Sequence, residues 1–463
     1  MMWPYLTSIT PDSLSGLIFG LEGVKDGVVL LNGSSGCKFY HSATSDNQFI
    51  RQLEFDPLNY PEKWYFGQPR VPCTSLDNGD YVYGTEEKLR EALIFLRENI
   101  EFEILFVVNS PGAALIGDDI AKIAEAEITE KPVLTYETPG ISENICAGYE
   151  RGAVKLLENI MEDGSENSSN GRKRTTLETA ADTCGENIAG SIETGGNTAS
   201  VKPVVNVLGL NLFRRHIFGD ALEIRRFLGM IGAEPGCFLL AGCSLREIKE
   251  MGGADLNLVL FPEFGLSLAK ALKEKCGTDY FVCETPPIGF KATEKLAKEL
   301  CTVLKTSPER LILESEKMRA RCYPFISRLN SLTGMPKGRP FAVEGHWSEA
   351  MGYVRFFIEY FAMTADSISI LDAECDYSKK AFISMLKEYG MEDALERDIM
   401  RTQADMVFAS GNTVAALKLQ RKEFAGVDIS LPTLGYIDVV PKTYLGISGA
   451  ALLSELIING SVY

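Results

Sequence analysis

VVLLNGSSGCKFYHS, residues 28–42, is the stretch of the chain from which its fold is predicted. The apolar residues 28–31 have the composition of a buried β-strand, and a turn rich in Gly and Ser follows them. Cys37 lies at the tip of this turn, before a segment that can begin a helix. Open α/β sheets bind ligands at such turns, beyond the carboxyl ends of their strands. Cys37 is therefore a candidate ligand or nucleophile. The alternative is an inert buried cysteine, because free cysteine is among the most buried residue types.

The same order of strand, turn and helix recurs along the chain. Residues 85–100 carry leucines at helical spacing, and the continuous apolar run at 104–109 ends in a Pro-Gly turn, as buried parallel strands do. After residue 203 the alternation resumes and ends in a last helix. The pattern predicts an α/β fold with doubly wound parallel sheets in three successive units. We expect the C-terminal helix to return to the first unit.

One break in this pattern sets the predicted domain boundaries. Residues 162–202 are dominated by Ser, Thr, Asn, Gly and charged residues, so they are interpreted as a partly disordered linker or insertion, and Cys184 within them as incidental. The predicted divisions are 1–160 for an N-terminal domain, 161–203 for the linker, 204–335 for a second domain, and 336–463 for a third domain with the C-terminal segment.

The composition excludes several classes of function. The chain has 463 residues and a formal net charge of −17, without the basic stripes that nucleic-acid binding requires. It has no apolar run long enough to cross a membrane and no signal-peptide pattern, so we expect a cytoplasmic protein. Eleven cysteines without regular spacing favour thiols or metal ligands over disulfides. No GxxxxGK[ST] motif occurs, so the chain should not hydrolyse ATP through a P-loop.

Cys73 is a second candidate ligand. It lies in QPRVPCTSLDNGDYVYGTEEKL, residues 68–89, just before the first long helix. Iron–sulfur clusters are held by cysteine thiolates, and hydrogen bonds to the sulfurs tune them. Thr74 and Ser75 could donate such bonds. The alternative for Cys73 is an exposed loop thiol.

Taken in order, these motifs resemble the nitrogenase component 1 family. GSSGC at 33–37 is similar to the family's Gly-Pro-x-Gly-Cys turn, and GDYVYGTEEKL at 79–89 to its D-x-V-F-G-G-x-x-K-L segment. SPGAALIGDDI at 110–120 is similar to its Cys-Pro-x-x-x-Ile-Gly-Asp-Asp turn, and the resemblance continues to TYLGISGAALLSELI at 443–457. It implies three Rossmann-like domains and pairing of two related subunits about a two-fold axis. It also implies an interfacial iron–sulfur cluster reduced by a separate ATP-dependent iron–sulfur reductase.

The departures from the family limit what can be carried over. Of the three family cysteines around the P-cluster, the first falls near Ser13 and the third at Ser110 or Pro111, so only Cys37 corresponds directly. The cysteine that binds the catalytic metal cluster in the nitrogenase α subunit aligns with Phe261, and its partner histidine is missing near residues 441–444. The chain is therefore not expected to be a nitrogenase α subunit.

The two thiolates suggest how one cluster is completed. A [4Fe–4S] cluster takes four ligands, so Cys37 and Cys73 from each of two chains would close it across the axis of a homodimer. Alternatively, a related component 1 subunit supplies three ligands in a heterodimer or heterotetramer. Ser110 could add an oxygen ligand, although a serine at a strand end is more often a cap. Cys146 is a further candidate neighbour of the cluster, and His346 a candidate proton donor.

The function implied by the resemblance is that of a subunit of a nitrogenase-like two-component reductase. Electrons would arrive from the ATP-dependent reductase and reach a substrate between the domains. Family members reduce dinitrogen, chlorophyll precursors, nickel-containing tetrapyrroles or carbon–sulfur bonds, so a second metallocofactor or a tetrapyrrole-type substrate is a further candidate ligand. The alternatives are a non-catalytic scaffold for assembly of a nitrogenase-type metallocofactor, and a regulatory or structural protein without a cluster.

Overall fold

The structure, a computed structural model, describes residues 11–37, 71–161, 202–372, 377–420, 423–433 and 440–461. Within these ranges all strand pairs are parallel, and the strands form three sheets with helices packed against them. The α/β class with three doubly wound parallel sheets is therefore confirmed. Residues 162–201 of the predicted linker, which include Cys184, lie outside the described residues, and the domain boundaries stay predictions.

The first sheet has the order β1-β2-β3 and follows the opening motif. Its strands are β1 (Gly27–Asn32), β2 (Ile104–Asn109) and β3 (Val133–Glu137). Its helices are α1 (Ser13–Glu22), α2 (Asn78–Tyr83), α3 (Glu86–Asn99), α4 (Pro111–Ala114), α5 (Ile120–Glu127) and α6 (Ile145–Ile160). Both faces of the sheet are buried, because Val28 and Leu30 pack with α3 and α5 while Val29 and Leu31 pack with α1 and α6.

The second sheet has the order β5-β4-β6-β7. Its strands are β4 (Val204–Leu208), β5 (Glu234–Phe238), β6 (Leu256–Val259) and β7 (Tyr280–Val282). The helices that follow them are α7 (Ile217–Met230), α8 (Leu245–Glu250), α9 (Pro262–Cys276), α10 (Phe290–Leu304) and α11 (Glu309–Thr333). Four cysteines of this unit are buried and Cys276 is half-buried; the buried ones are Cys237, Cys243, Cys283 and Cys301.

The third sheet has the order β11-β10-β8-β9. Its strands are β8 (Pro340–Gly345), β9 (Thr364–Ile370), β10 (Met406–Ser410) and β11 (Ala425–Ser430). The helices of this part of the chain are α12 (Trp347–Phe361), α13 (Lys379–Tyr389), α14 (Gly411–Leu419) and α15 (Gly446–Gly460). Among the residues that the structure describes, no helix is both long enough and apolar enough to cross a lipid bilayer.

The C-terminal helix α15 does not return to the first unit, so that expectation was wrong. Its main packing partners are α11, α10 and α7 of the second unit. Ile447, Leu453 and Ile457 are buried, and Glu223 on α7 accepts hydrogen bonds from the amide (3.1 Å) and hydroxyl (2.9 Å) of Ser448. Helical periodicity shows which face of α15 is apolar, but it carries no information about which helices cover that face.

Candidate functional site

Residues 72–76 run beside β1 and bring Cys73 to the turn that carries Cys37. The amide of Leu31 donates to the carbonyl of Pro72 at 2.9 Å, and the amide of Thr74 donates back to Leu31 at 3.1 Å. The amide of Leu76 then donates to the carbonyl of Gly33 at 2.9 Å. The segment therefore adds to the edge of the first sheet in the parallel sense, with Cys73 paired to Leu31. Two thiols that are distant in sequence come to one turn.

Both thiols make hydrogen bonds within this turn. The Sγ of Cys73 lies 3.2 Å from the carbonyl oxygen of Gly33 and accepts the amide of Ser75 at 3.4 Å. The Sγ of Cys37 lies 3.6 Å from the hydroxyl of Ser34. Both cysteines are half-exposed. The two sulfurs therefore lie at the same turn, beside the Gly33 and Ser34 backbone.

Buried polar side chains connect the ends of β1 and β2 below the turn. The amide of Asn32 donates to Asn109 Oδ1 at 2.8 Å and to Thr85 Oγ1 at 3.1 Å. The hydroxyl of Thr74 donates to Asn32 Oδ1 at 2.9 Å and accepts the amide of Gly33 at 3.1 Å. Since each bond is made in a buried or half-buried setting, the network holds the turn and the Cys73 segment in one arrangement.

Ser110 lies against the same turn and caps a helix. Its hydroxyl accepts the amide of Ala113 at 3.4 Å at the start of α4, and its side chain is fully buried. A methyl group added to Gly33 would lie 2.8 Å from both Cβ and Oγ of Ser110. This capping role accounts for a serine at position 110 without any role in metal binding. An oxygen ligand at this position therefore stays a prediction.

Asp118 and Asp119 each bind the start of a helix. Helix α5 begins at Ile120, and Asp119 is its N-cap, accepting the amide of Lys122 at 3.1 Å. Asp118 accepts the amide (2.6 Å) and the hydroxyl (2.9 Å) of Thr85, the residue before α3. The spacing of the apolar residues could not distinguish a cap from a first turn.

A second candidate site is a cavity of about 90 Å³ enclosed by all three units. Its walls come from the start of α6, from the segments that follow β4 and β6, and from the carboxyl ends of β8, β9 and β11. The charged residues of the lining are Arg214, Glu263, Glu344, Glu349 and Asp372, together with His346. Carboxylates thus outnumber cations in this cavity, which favours a positively charged occupant.

Cys146 lies close to two residues of the cavity lining, His346 and Asp372. One possible ligand atom of each lies within 4.8 Å of those of the other two. His346 Nε2 is 3.6 Å from Asp372 Oδ2 and has no hydrogen-bond partner among the residues that the structure describes. Burial alone would lower the pKa of His346, but Asp372 and Cys146 raise this pKa well above its ordinary value. Burial raises the pKa of the Cys146 thiol, and the nearby imidazole opposes that effect.

Close helix packing positions Cys146. An added Cβ on Gly16 of α1 would lie 2.0 Å from the carbonyl oxygen of Ile145, and one on Gly148 would lie 1.9 Å from that of Ser13. The two backbones can approach this closely only because glycine has no Cβ. The first turn of α6, which contains Cys146, is therefore held against α1.

A buried ion-pair network forms another wall of the cavity and joins the second and third units. The guanidinium of Arg214 donates to Asp220 at 2.6 Å and to Glu349 at 2.9 Å, and all three side chains are buried. It also lies 4.1 Å from the ring centre of Phe261. The hydroxyl of Thr443 donates to Asp220 at 2.7 Å.

The comparisons with known proteins show to which family this chain belongs. Residues 14–460 match the family model described as nitrogenase component 1 type oxidoreductase. The chain belongs to this family. Similar curated proteins are subunits B of light-independent protochlorophyllide reductase. The Synechococcus sp. (strain CC9605) protein is 22% identical, with 76% of this chain and 62% of the relative covered. The Prochlorococcus marinus (strain NATL2A) protein is 22% identical, with 84% and 69% covered.

Solved structures support the fold of this nitrogenase component 1 family member. The structure titled Nitrogenase Cp1 at pH 6.5 has a TM-score of 0.71 and 17% identity, with 98% of this chain and 92% of that chain covered. Nitrogenase Cp1 at pH 5 has a TM-score of 0.64 and 18% identity, with 96% and 87% covered. The chain spans 62% of the length of the first curated relative, so the activity of the whole relative is not carried over here.

Sequence analysis of this family member missed Asp372 and Glu263 as site residues. Asp372 follows β9 as His346 follows β8, and these strands are neighbours in the third sheet. The carboxyl ends of parallel strands meet at one edge of a sheet. If the strand order had been known, His346 after β8 and Asp372 after β9 could have been predicted to lie close together. Glu263 follows β6 of a different sheet, and no local pattern relates it to His346.

Proposed function

We propose that this chain is a subunit of a nitrogenase-like two-component reductase that receives electrons through a [4Fe–4S] cluster held by Cys37 and Cys73. The observation that carries the proposal is the pairing of residues 72–76 with β1, which brings both thiols to the Gly33–Ser34 turn. Family membership supports the same chemistry. A bound [4Fe–4S] cluster accepts and passes on single electrons.

The donor set of the turn fits such a cluster. Cys37 and Cys73 are half-exposed thiols, and Ser34 and Ser75 are hydrogen-bonding neighbours of their sulfurs. Two thiols are half of the four ligands that the cluster takes. A second subunit, identical or related, must therefore supply the remaining ligands.

The surface near the turn suits subunit pairing. Tyr83, Leu115 and Ile141 are large apolar side chains that are 91%, 90% and 90% exposed. Leu115 directly follows α4, which begins beside Gly33, and Ile141 lies next to Gly140, whose added Cβ would be 2.5 Å from Pro111. Exposed apolar side chains grouped in one region mark surfaces that another protein covers. We propose that the partner component 1 subunit covers this region.

The proposed electron donor is an ATP-dependent iron–sulfur reductase of the component 2 type, because this chain has no phosphate-binding loop of its own. The proposed substrate class is a tetrapyrrole, which is supported by the names of the similar subunits B. The cavity of about 90 Å³ is smaller than the roughly 300–1,000 Å³ of typical ligand pockets. A tetrapyrrole therefore requires a wider opening between the units.

Replacement of one proposed ligand tests the cluster. Anaerobically purified protein should be brown and contain about four irons per cluster. Cys37→Ala should lose this iron and colour, because the cluster loses a ligand. Cys276→Ala, at a half-buried thiol on α9, is the matched control and should retain both. Full iron retention in Cys37→Ala would contradict the proposal.

Electron delivery tests the reductase function. We expect the iron–sulfur reductase to reduce the cluster only when ATP and magnesium are present, and the isolated chain to hydrolyse no ATP. Turnover of a tetrapyrrole substrate under these conditions would support the enzyme. Transfer of a metal cluster to an acceptor protein without turnover would support the assembly scaffold instead.

A further inference from the structure

The trio Cys146, His346 and Asp372 has the donor chemistry of a metal site. It combines a thiol, an imidazole and a carboxylate, and these are the three ligand types that zinc takes in proteins. The set is separate from the Cys37 turn, since it comes from the first turn of α6 and from the ends of β8 and β9. It joins the first unit to the third.

The distances between the possible ligand atoms are close to those of a shared metal ion. Tetrahedral zinc with bonds of 2.0–2.3 Å separates its ligand atoms by about 3.3–3.8 Å. His346 Nε2 and Asp372 Oδ2 are already 3.6 Å apart, and no atom of the set is more than 4.8 Å from another. Small side-chain rotations therefore suffice to close the set around one ion.

The imidazole of His346 is available to a ligand. His346 occupies the N-cap position of α12, but its side chain makes no capping hydrogen bond. Glu263, from another unit, accepts the amide and the hydroxyl of Ser348, both at 2.7 Å. Within the part of the chain that the structure describes, His346 Nε2 is buried without a hydrogen-bond partner, and Asp372 Oδ2 lies 3.6 Å from it. Buried polar atoms are normally hydrogen-bonded, so an ion or ligand bound at His346 Nε2 would satisfy this atom.

The charges around the trio also favour a cation. Cys146, once deprotonated, and Asp372 neutralise a divalent ion. Glu263 and Glu344 add negative charge to the walls of the same cavity. The oxygens of Glu263 are already engaged by Ser348, so this residue belongs to the surroundings of the ion and not to its ligands. Such outer carboxylates orient and strengthen metal sites.

We propose that Cys146, His346 and Asp372 bind one divalent transition-metal ion, with zinc as the ion that fits best. The three ligands leave the fourth tetrahedral position open to the cavity, where water or a small anionic group of a ligand can bind. Sites with three protein ligands and one open position are typical of catalytic zinc. The ion would also link the first and third units across the cavity.

Zinc binding to the full-length protein tests this proposal. The protein is incubated anaerobically with zinc sulfate and desalted, and zinc and iron are counted by mass spectrometry. We expect one zinc per chain in the unmodified protein and at least tenfold weaker binding in Cys146→Ser and in Asp372→Asn. X-ray absorption at the zinc edge should show one sulfur at about 2.3 Å and nitrogen or oxygen at about 2.0–2.2 Å.

Two controls separate this site from the cluster. Cys301→Ser changes another buried cysteine and should bind zinc normally. Cys37→Ala should lose iron but keep its zinc, whereas Cys146→Ser should keep its iron. The polar exchange Asp372→Asn retains the size of a half-exposed side chain, so it reports on binding even if Cys146→Ser folds poorly. Absence of zinc in the unmodified protein, two sulfur ligands, or unchanged binding in both ligand variants overturns the proposal.

Discussion

The two glycines of the opening motif differ in what their surroundings permit. An added Cβ on Gly33 would lie 2.8 Å from both Cβ and Oγ of Ser110, whereas one on Gly36 would meet only Ser34 Oγ at 3.7 Å. Ser110 is fully buried and caps α4, so it cannot move away freely. The ends of β1 and β2 are so close that position 33 requires a glycine, whereas position 36 does not.

Alanine at these two positions should have different effects. We expect Gly33→Ala to lower the free energy of unfolding by about 1–3 kcal/mol, as overpacking of a buried site does, and to reduce the iron content because the cysteine turn shifts. Gly36→Ala should change the free energy of unfolding by no more than about 0.5 kcal/mol and should leave the iron content unchanged. Denaturant titration measures the free energy of unfolding of the two variants, and iron analysis measures their iron content. Equal values for the two variants would contradict the packing argument.

At the scale of secondary structure elements, the carboxylates of two neighbouring residues bind the starts of two different helices. Asp119 caps its own helix, α5, while Asp118 binds the amide and hydroxyl of Thr85 and so holds the start of α3. The second contact fixes α2 and α3 relative to the turn that follows β2. These bonds give both residues a structural role that requires no partner protein.

Removal of Asp118 should therefore affect stability before it affects electron transfer. We expect Asp118→Ala to lower the free energy of unfolding by about 1–2 kcal/mol, as loss of a helix cap does, with iron content unchanged. Asp119→Ala should cost about 1 kcal/mol. If Asp118→Ala slowed reduction by the partner reductase while stability stayed the same, Asp118 would be a docking residue instead.

At the scale of the whole molecule, buried charges hold the second and third units together. Arg214 follows β4, Asp220 lies on α7 and Glu349 lies on α12 of the third unit. All three side chains are at most 7% exposed. Removal of the cation leaves two carboxylates inside the protein, which costs far more than the loss of an exposed pair.

Replacement of Arg214 should measure this difference. We expect Arg214→Met to lower the free energy of unfolding by about 3–5 kcal/mol because the charges of Asp220 and Glu349 stay buried without their partner. Arg246→Ala, which removes an exposed pair with Glu250 within α8, should cost no more than about 0.5 kcal/mol. A small effect of Arg214→Met in thermal and denaturant unfolding would mean that the network is not what joins the units.

The parts of the site that could be predicted depend on local signals. Cys37 was identified because its turn directly follows an apolar strand, and Cys73 because it lies just before the first long helix, next to Thr74 and Ser75. Cys146 and His346 were each candidates in their own turns, but no pattern connected one with the other. The C-terminal helix was predicted correctly as a helix and placed against the wrong unit.

The sequence by itself determined the helices, the strands, the parallel sheets and the cysteine turn. Those features depend on the spacing of apolar residues and on turn residues, which act over a few positions along the chain. Only the tertiary structure decided that Cys73 pairs beside β1, that α15 covers the second unit, and that Cys146 meets His346 and Asp372. The reason is physical, since such contacts depend on how finished elements pack, and many arrangements satisfy the same local pattern.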